Sequence, residues 1–135
     1  MGIFDFFKKR KLSDGPYKIF DKYGQLEEEG NIKKNKKDGL IKRYFSETGL
    51  LECEWNMKDG KKNGLLKRFW YNGNLLVESN YKDGMQHGVC KIYDTNGNLQ
   101  SEMNYKNDKY DGISRLYNLN GDLLVELNYK DGERL

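Results

Sequence analysis

Residues 72–84 read NGNLLVESNYKDG, residues 120–132 read NGDLLVELNYKDG, and residues 96–108, midway between them, read NGNLQSEMNYKND. A segment that returns at so short a period is one supersecondary unit of an array, and it buries little until its neighbours stack beside it. The glycines mark the period. Gly15, Gly39, Gly64, Gly88 and Gly112 step by 24, 25, 24 and 24 residues, and Gly24, Gly49, Gly73, Gly97 and Gly121 step by 25, 24, 24 and 24. Each unit has an aromatic five residues after its first glycine (Phe20, Tyr44, Phe69, Tyr93, Tyr117) and a glutamate five after its second (Glu29, Glu54, Glu78, Glu102, Glu126). Five units at 14–37, 38–62, 63–86, 87–110 and 111–135 follow a distinct segment, 1–13.

Within a unit, apolar and polar residues alternate at period two on either side of Asn72-Gly73, Asn96-Gly97 and Asn120-Gly121, which predicts β-hairpins. Asn and Gly both tolerate positive φ, so a two-residue type I′ loop is expected at each of these steps. That loop sets Lys67 opposite Glu78, Lys91 opposite Glu102, Arg115 opposite Glu126 and Lys18 opposite Glu29. A three-residue loop Glu47-Thr48-Gly49 in the longer second unit restores Lys42 opposite Glu54. The expected fold is all-β, one extended antiparallel meander of about ten strands, twisted or coiled.

One face carries the Lys/Arg and Glu rows. The other is more apolar, with Cys53, Trp55, Met57, Leu66, Trp70, Val77, Tyr81, Ile92, Met103, Leu116, Val125, Leu127 and Tyr129. A sheet face this rich in Leu, Val, Trp and Tyr calls for self-coiling, a second copy or a partner protein. The candidate partner surface comprises Trp55, Trp70, Val77, Tyr81, Val125, Leu127 and Tyr129.

The unit G-x-x-x-x-Y/F … x-G-x-L-x-x-E-x-x-Y-x-D-G resembles the variant MORN repeat, over residues 14–135. Ile32 and Met57 depart from it where later units have Tyr81, Tyr105 and Tyr129. The resemblance implies elongated hairpin arrays used for protein contacts or membrane association, in bacterial relatives often labelled as the antitoxin of a toxin–antitoxin pair.

No catalytic, cofactor-binding or metal-binding set emerges, and an enzyme is not expected. His87, the single histidine, fills the slot held elsewhere by Asp14, Asp38, Asn63 and Asp111, and reads as a polar turn residue. Cys53 and Cys90 fall in different units, too far apart to bridge or share a metal. The glycines read as turn glycines without phosphate-loop spacing. Unbridged cysteines and the lack of an apolar run of roughly 18 residues point to a cytoplasmic protein.

The formal charge of +3 lies wholly in the first eleven residues, where Lys8, Lys9, Arg10 and Lys11 outnumber Asp5. The remainder balances, which does not suit nucleic acid. Ile3, Phe4, Phe6 and Phe7 form a short apolar stripe ahead of the basic cluster. Two readings stand: a cap over the first hairpin, or a contact with an anionic membrane surface through Ile3, Phe4, Phe6, Phe7 and the four basic residues.

Overall fold

Every repeat folds into a hairpin, and the computed structural model describes this for residues 11–135. Of the apolar and basic N-terminal segment, Ile3, Phe4, Phe6, Phe7, Lys8, Lys9 and Arg10 lie outside the described residues; Lys11 is exposed. The strands are β1 (Gly15–Phe20), β2 (Leu26–Lys33), β3 (Lys36–Tyr44), β4 (Leu51–Lys58), β5 (Lys61–Phe69), β6 (Leu75–Lys82) and β7 (Met85–Gln86). They continue as β8 (Gly88–Tyr93), β9 (Leu99–Lys106), β10 (Lys109–Tyr110), β11 (Gly112–Tyr117), β12 (Leu123–Lys130) and β13 (Glu133–Arg134). All lie in one antiparallel sheet in which sequence neighbours are spatial neighbours. The count exceeds ten because the incoming strand of units four and five breaks at His87 and Asp111, and because β13 adds a short piece after the hairpin of unit five.

The turn types are the reverse of expectation. In unit three the Trp70 N–H donates to Asn74 O (2.8 Å) and the Gly73 N–H to Trp70 O (2.9 Å), a three-residue loop rather than two. Units one, four and five close the same way, at Asp21/Gln25, Asp94/Asn98 and Asn118/Asp122. In units one, four and five the side chain at the head of the loop explains the choice; unit three has Trp70 there, and Asn72 Oδ1 accepts from the Asn74 N–H instead. Asp94 Oδ1 accepts from the N–H of Asn96 and of Asn98 (both 2.9 Å), and Asn118 Oδ1 does the same for Asn120 and Asp122. An Asx residue at the first position and Gly at the fourth specify a type I turn. Unit two has a four-residue loop, Phe45 to Leu50, instead of three. The type I′ geometry sits at the turns that follow each hairpin, where Asp59-Gly60, Asp83-Gly84 and Asp131-Gly132 all have positive φ, as do Lys34-Asn35 and Asn107-Asp108.

Lys67 nevertheless faces Glu78, because a register shift between Arg68 and Phe69 returns the residue that the longer loop removed. The same shift recurs in each hairpin. The charge row is therefore continuous across the whole sheet: Lys18, Glu29, Lys42, Glu54, Lys67, Glu78, Lys91, Glu102, Arg115 and Glu126 are successive cross-strand partners of alternating sign.

Joints between hairpins contain a larger irregularity. Trp55 faces Leu66 while Met57 faces Lys62, so two steps on β4 oppose four on β5. The excess contains Gly64, at φ 101°, a conformation that side chains with a Cβ rarely adopt. Gly39, Gly88 and Gly112 hold the same place, so the first glycine set marks bulges rather than turns. Bulges bend the strand and increase its twist. Each of these glycines pairs with the residue that the repeat fills with Met or Tyr: Gly39 with Met57, Gly64 with Tyr81, Gly88 with Tyr105, Gly112 with Tyr129.

Burial is concentrated at the N-terminal side of the apolar face. Ile41, Trp55 and Leu66 form the core cluster, against which Tyr17, Cys53, Met57 and Tyr81 pack. Ser79 and Cys90 extend buried positions into units three and four.

Candidate interaction surface

The apolar face changes character along its length. In the first three units it is a core, with Ile41 at 0% exposure and Leu66 at 7%. In the last unit the same face is open, with Leu116 at 46% and its cross-strand partner Val125 at 42%. These two residues, with Met103, Tyr110, Leu127 and Tyr129, line a groove of about 320 Å³. The rings of Tyr110 and Tyr129 stand side by side in its lining, centroids 5.1 Å apart, and Tyr105 continues the row beyond it, 5.0 Å from Tyr110.

Of the seven residues assigned to this surface from sequence, Val125, Leu127 and Tyr129 come together in the groove. Trp55 does not; at 9% exposure it belongs to the core, where Ile41 and Leu66 flank it and the Arg43 guanidinium lies 5.5 Å from its ring centroid. Tyr81 is half-buried against the same cluster. Val77 is half-buried between Arg68 and Ile92, and Trp70 is pinned by its indole N–H donating to Tyr93 O at 3.1 Å. Gly24, Gly49, Gly73, Gly97 and Gly121 all sit in loops at positive φ.

Two features of the surface escape an alternation argument. Tyr110 occupies a position that units one to three fill with Lys37, Lys62 and Gln86, so an aromatic in a polar slot was the available signal. Glu28 stands where later units place Cys53, Val77, Ser101 and Val125, and it is fully buried. It accepts from the Tyr17 hydroxyl (2.7 Å), Arg43 Nη2 (3.0 Å) and Lys37 Nζ. Burial pushes its carboxyl up, but hydrogen bonds from Lys37 and Tyr17, the Lys37 charge and Arg43 outweigh that and hold it below the usual glutamate range. Burial and the adjacent Glu28 carboxylate push the Tyr17 hydroxyl well up. The cluster ties β1, β2 and β3 together at the core end of the sheet.

Chemistry elsewhere is sparse. Burial raises the thiols of Cys53 and Cys90, which keeps both protonated and slow as nucleophiles. His87 is half-buried with Nδ1 lacking a hydrogen-bond partner. Among the described residues no three His, Cys, Asp or Glu side chains are grouped to hold a metal ion, and no helix is long and apolar enough to cross a membrane.

The MORN repeat variant family matches residues 62–83, 86–107 and 110–131, three consecutive repeats. The chain belongs to the MORN repeat variant family. No curated protein matches it. The matched MORN repeats are those whose bulge glycine faces Tyr81, Tyr105 or Tyr129; the first two units lie outside the match yet keep the register, with Lys18 facing Glu29 and Lys42 facing Glu54. The MORN repeat is a non-catalytic repeat type, a scaffold for contacts with proteins or membrane lipid.

Proposed function

We propose that this protein is a non-enzymatic scaffold that binds a partner protein through the open apolar face of its last two MORN hairpins. One observation carries the reading: the face that is core in the first units is exposed at Leu116 and Val125, on strands whose order and register match the buried ones. Exposed apolar patches rimmed by polar groups mark contact sites, and rigid aromatic anchors such as Tyr110 and Tyr129 suit them. Antitoxin-like sequestration of one partner, in the cytoplasm, is the use we favour. Affinity capture with the full chain tests this, comparing the native protein with Leu116→Asp and Val125→Asp. A protein retained by the native chain and lost from both variants, with unchanged melting curves, is the expected result. Identical captures by all three would overturn it.

The charge distribution supports a second reading, docking to an anionic membrane through residues 1–11, where the whole formal excess of +3 resides. Each basic residue near such a surface contributes roughly 1 kcal/mol. Full-length protein should then sediment with phosphatidylserine vesicles at low salt and release at high salt, and changing Lys8, Lys9, Arg10 and Lys11 to Gln should abolish this.

A further inference from the structure

Glu126 is the last member of the charge row, and its surroundings differ from those of the four glutamates before it. Each of those faces a cation on the next hairpin: Glu29 faces Lys42, Glu54 faces Lys67, Glu78 faces Lys91 and Glu102 faces Arg115. The next strand also brings an aromatic two residues beyond its cation. Glu102 accepts from Arg115 Nη1 at 2.9 Å and from the Tyr117 hydroxyl at 3.1 Å, and Glu29 accepts from the Tyr44 hydroxyl at 2.9 Å. A Lys/Arg-X-Tyr strand thus saturates the outgoing glutamate from the side of the following unit.

Among the described residues, the cation at Glu126 comes from the preceding side alone, Arg115 Nε at 2.9 Å, and the Glu126 side chain is 47% exposed. The backbone is turned toward the same gap. Asn128 O accepts from the Leu135 N–H at 2.8 Å, on the flank away from β11, as Asn104 O accepts from Asp111 N–H and Asn80 O from His87 N–H. By strand periodicity, the N–H and C=O of Glu126, two residues earlier, point to that flank too. Among the described residues β13 pairs only with Tyr129 and Lys130, so the flank is unpaired from Leu123 to Leu127.

We infer that this edge of β12 takes up an extended, Lys/Arg-X-Tyr-bearing segment of a partner protein as an added antiparallel strand, its cation opposite Glu126. Main-chain bonds to Glu126 supply the pairing, and the cation and hydroxyl on the Glu126 carboxylate set the register. This goes beyond occupation of the apolar face, which lies on a different side of the same strand.

The probe is a labelled synthetic peptide copying residues 111–118, DGISRLYN, which occupies this position against β9, titrated into the full chain by fluorescence anisotropy. Saturable binding is expected, at least tenfold weaker for a peptide with Glu in place of its Arg. Glu126→Lys should invert that preference. Glu126→Pro should abolish binding while leaving the melt intact, because Pro is tolerated where a strand's N–H faces outward. Leu116→Asp should keep the charge preference even if capture through the apolar face fails. Equal binding of both peptides, binding undiminished in Glu126→Pro, or no saturation overturns the inference. So does concentration-dependent oligomerisation, by light scattering, that the peptide dissolves, because it would assign the edge to a second copy.

Discussion

At the scale of single residues, the sheet tolerates little at its loop glycines and at the fully buried carboxylate of Glu28. Gly121 has φ 84° with nothing within 4 Å of where a Cβ would project, so space is free and only conformation resists substitution. Gly121→Val should lower stability by roughly 1–3 kcal/mol in urea melts; a cost no larger than that of an exposed strand substitution would mean the loop is free to rearrange. Glu28 behaves differently. Glu28→Gln leaves Lys37 and Arg43 facing a neutral group, at the lower end of about 3–5 kcal/mol, because Arg43 is 41% exposed. Its pH signature follows from the direction of the shift. The Glu28 carboxyl titrates lower folded than unfolded, so its contribution is fully present above the unfolded value of about 4.3 and fades as pH falls below that. Glu102, lowered by Arg115, and Asp111, lowered by the Asp131 N–H and Lys130, act in the same direction. Tyr44, pushed up to about 12 by burial and the Glu29 carboxylate, adds stability below about 10 that disappears as pH rises through its folded value. Urea melts should be flat between those limits, and Glu28→Gln should shrink the acid limb.

At the scale of elements, the cross-strand partners were legible in the sequence while the loops joining them were not. Alternation fixes which side chains share a face, and burying one face forbids a one-residue slip. Lys67 therefore meets Glu78 whether the loop holds two residues, or three with a compensating bulge. Asn-Gly and Asp-Gly both suit positive φ, so local propensity could not decide which carries the type I′ turn. The deciding signal lay three residues before the loop glycine, in Asp21, Asp94 and Asn118. The burial of Trp55 was illegible for another reason: repeats with one pattern differ in exposure according to where they sit in the array. The Lys67–Glu78 pair should be worth about 0.2–1 kcal/mol. Exchanging the two residues would place like charges opposite Glu54 and Lys91 as well, so a double-mutant cycle should recover only part of the pair's coupling, and restoring the sign at Glu54 and Lys91 should recover the rest.

At the scale of the whole molecule, exposure rises from the first units to the last. Amides of β3, β4 and β5 should exchange slowest with deuterium and those of β12 fastest, since sub-global opening follows local burial. Uniform protection across the sheet would show one cooperative unit instead of an array. The strand order also decides how the protein answers force. Because each strand pairs with its sequence neighbours and the two ends of the described chain lie at opposite edges, tension between those ends loads the ladder bonds one rung at a time and never shears two strands along their length. Such a molecule opens like a zipper. Stretched in an optical trap, it should yield at low force in steps of about 80 Å, the contour of one 24-residue repeat, beginning at the hairpin of β11 and β12 and finishing where Glu28 clasps the first three strands.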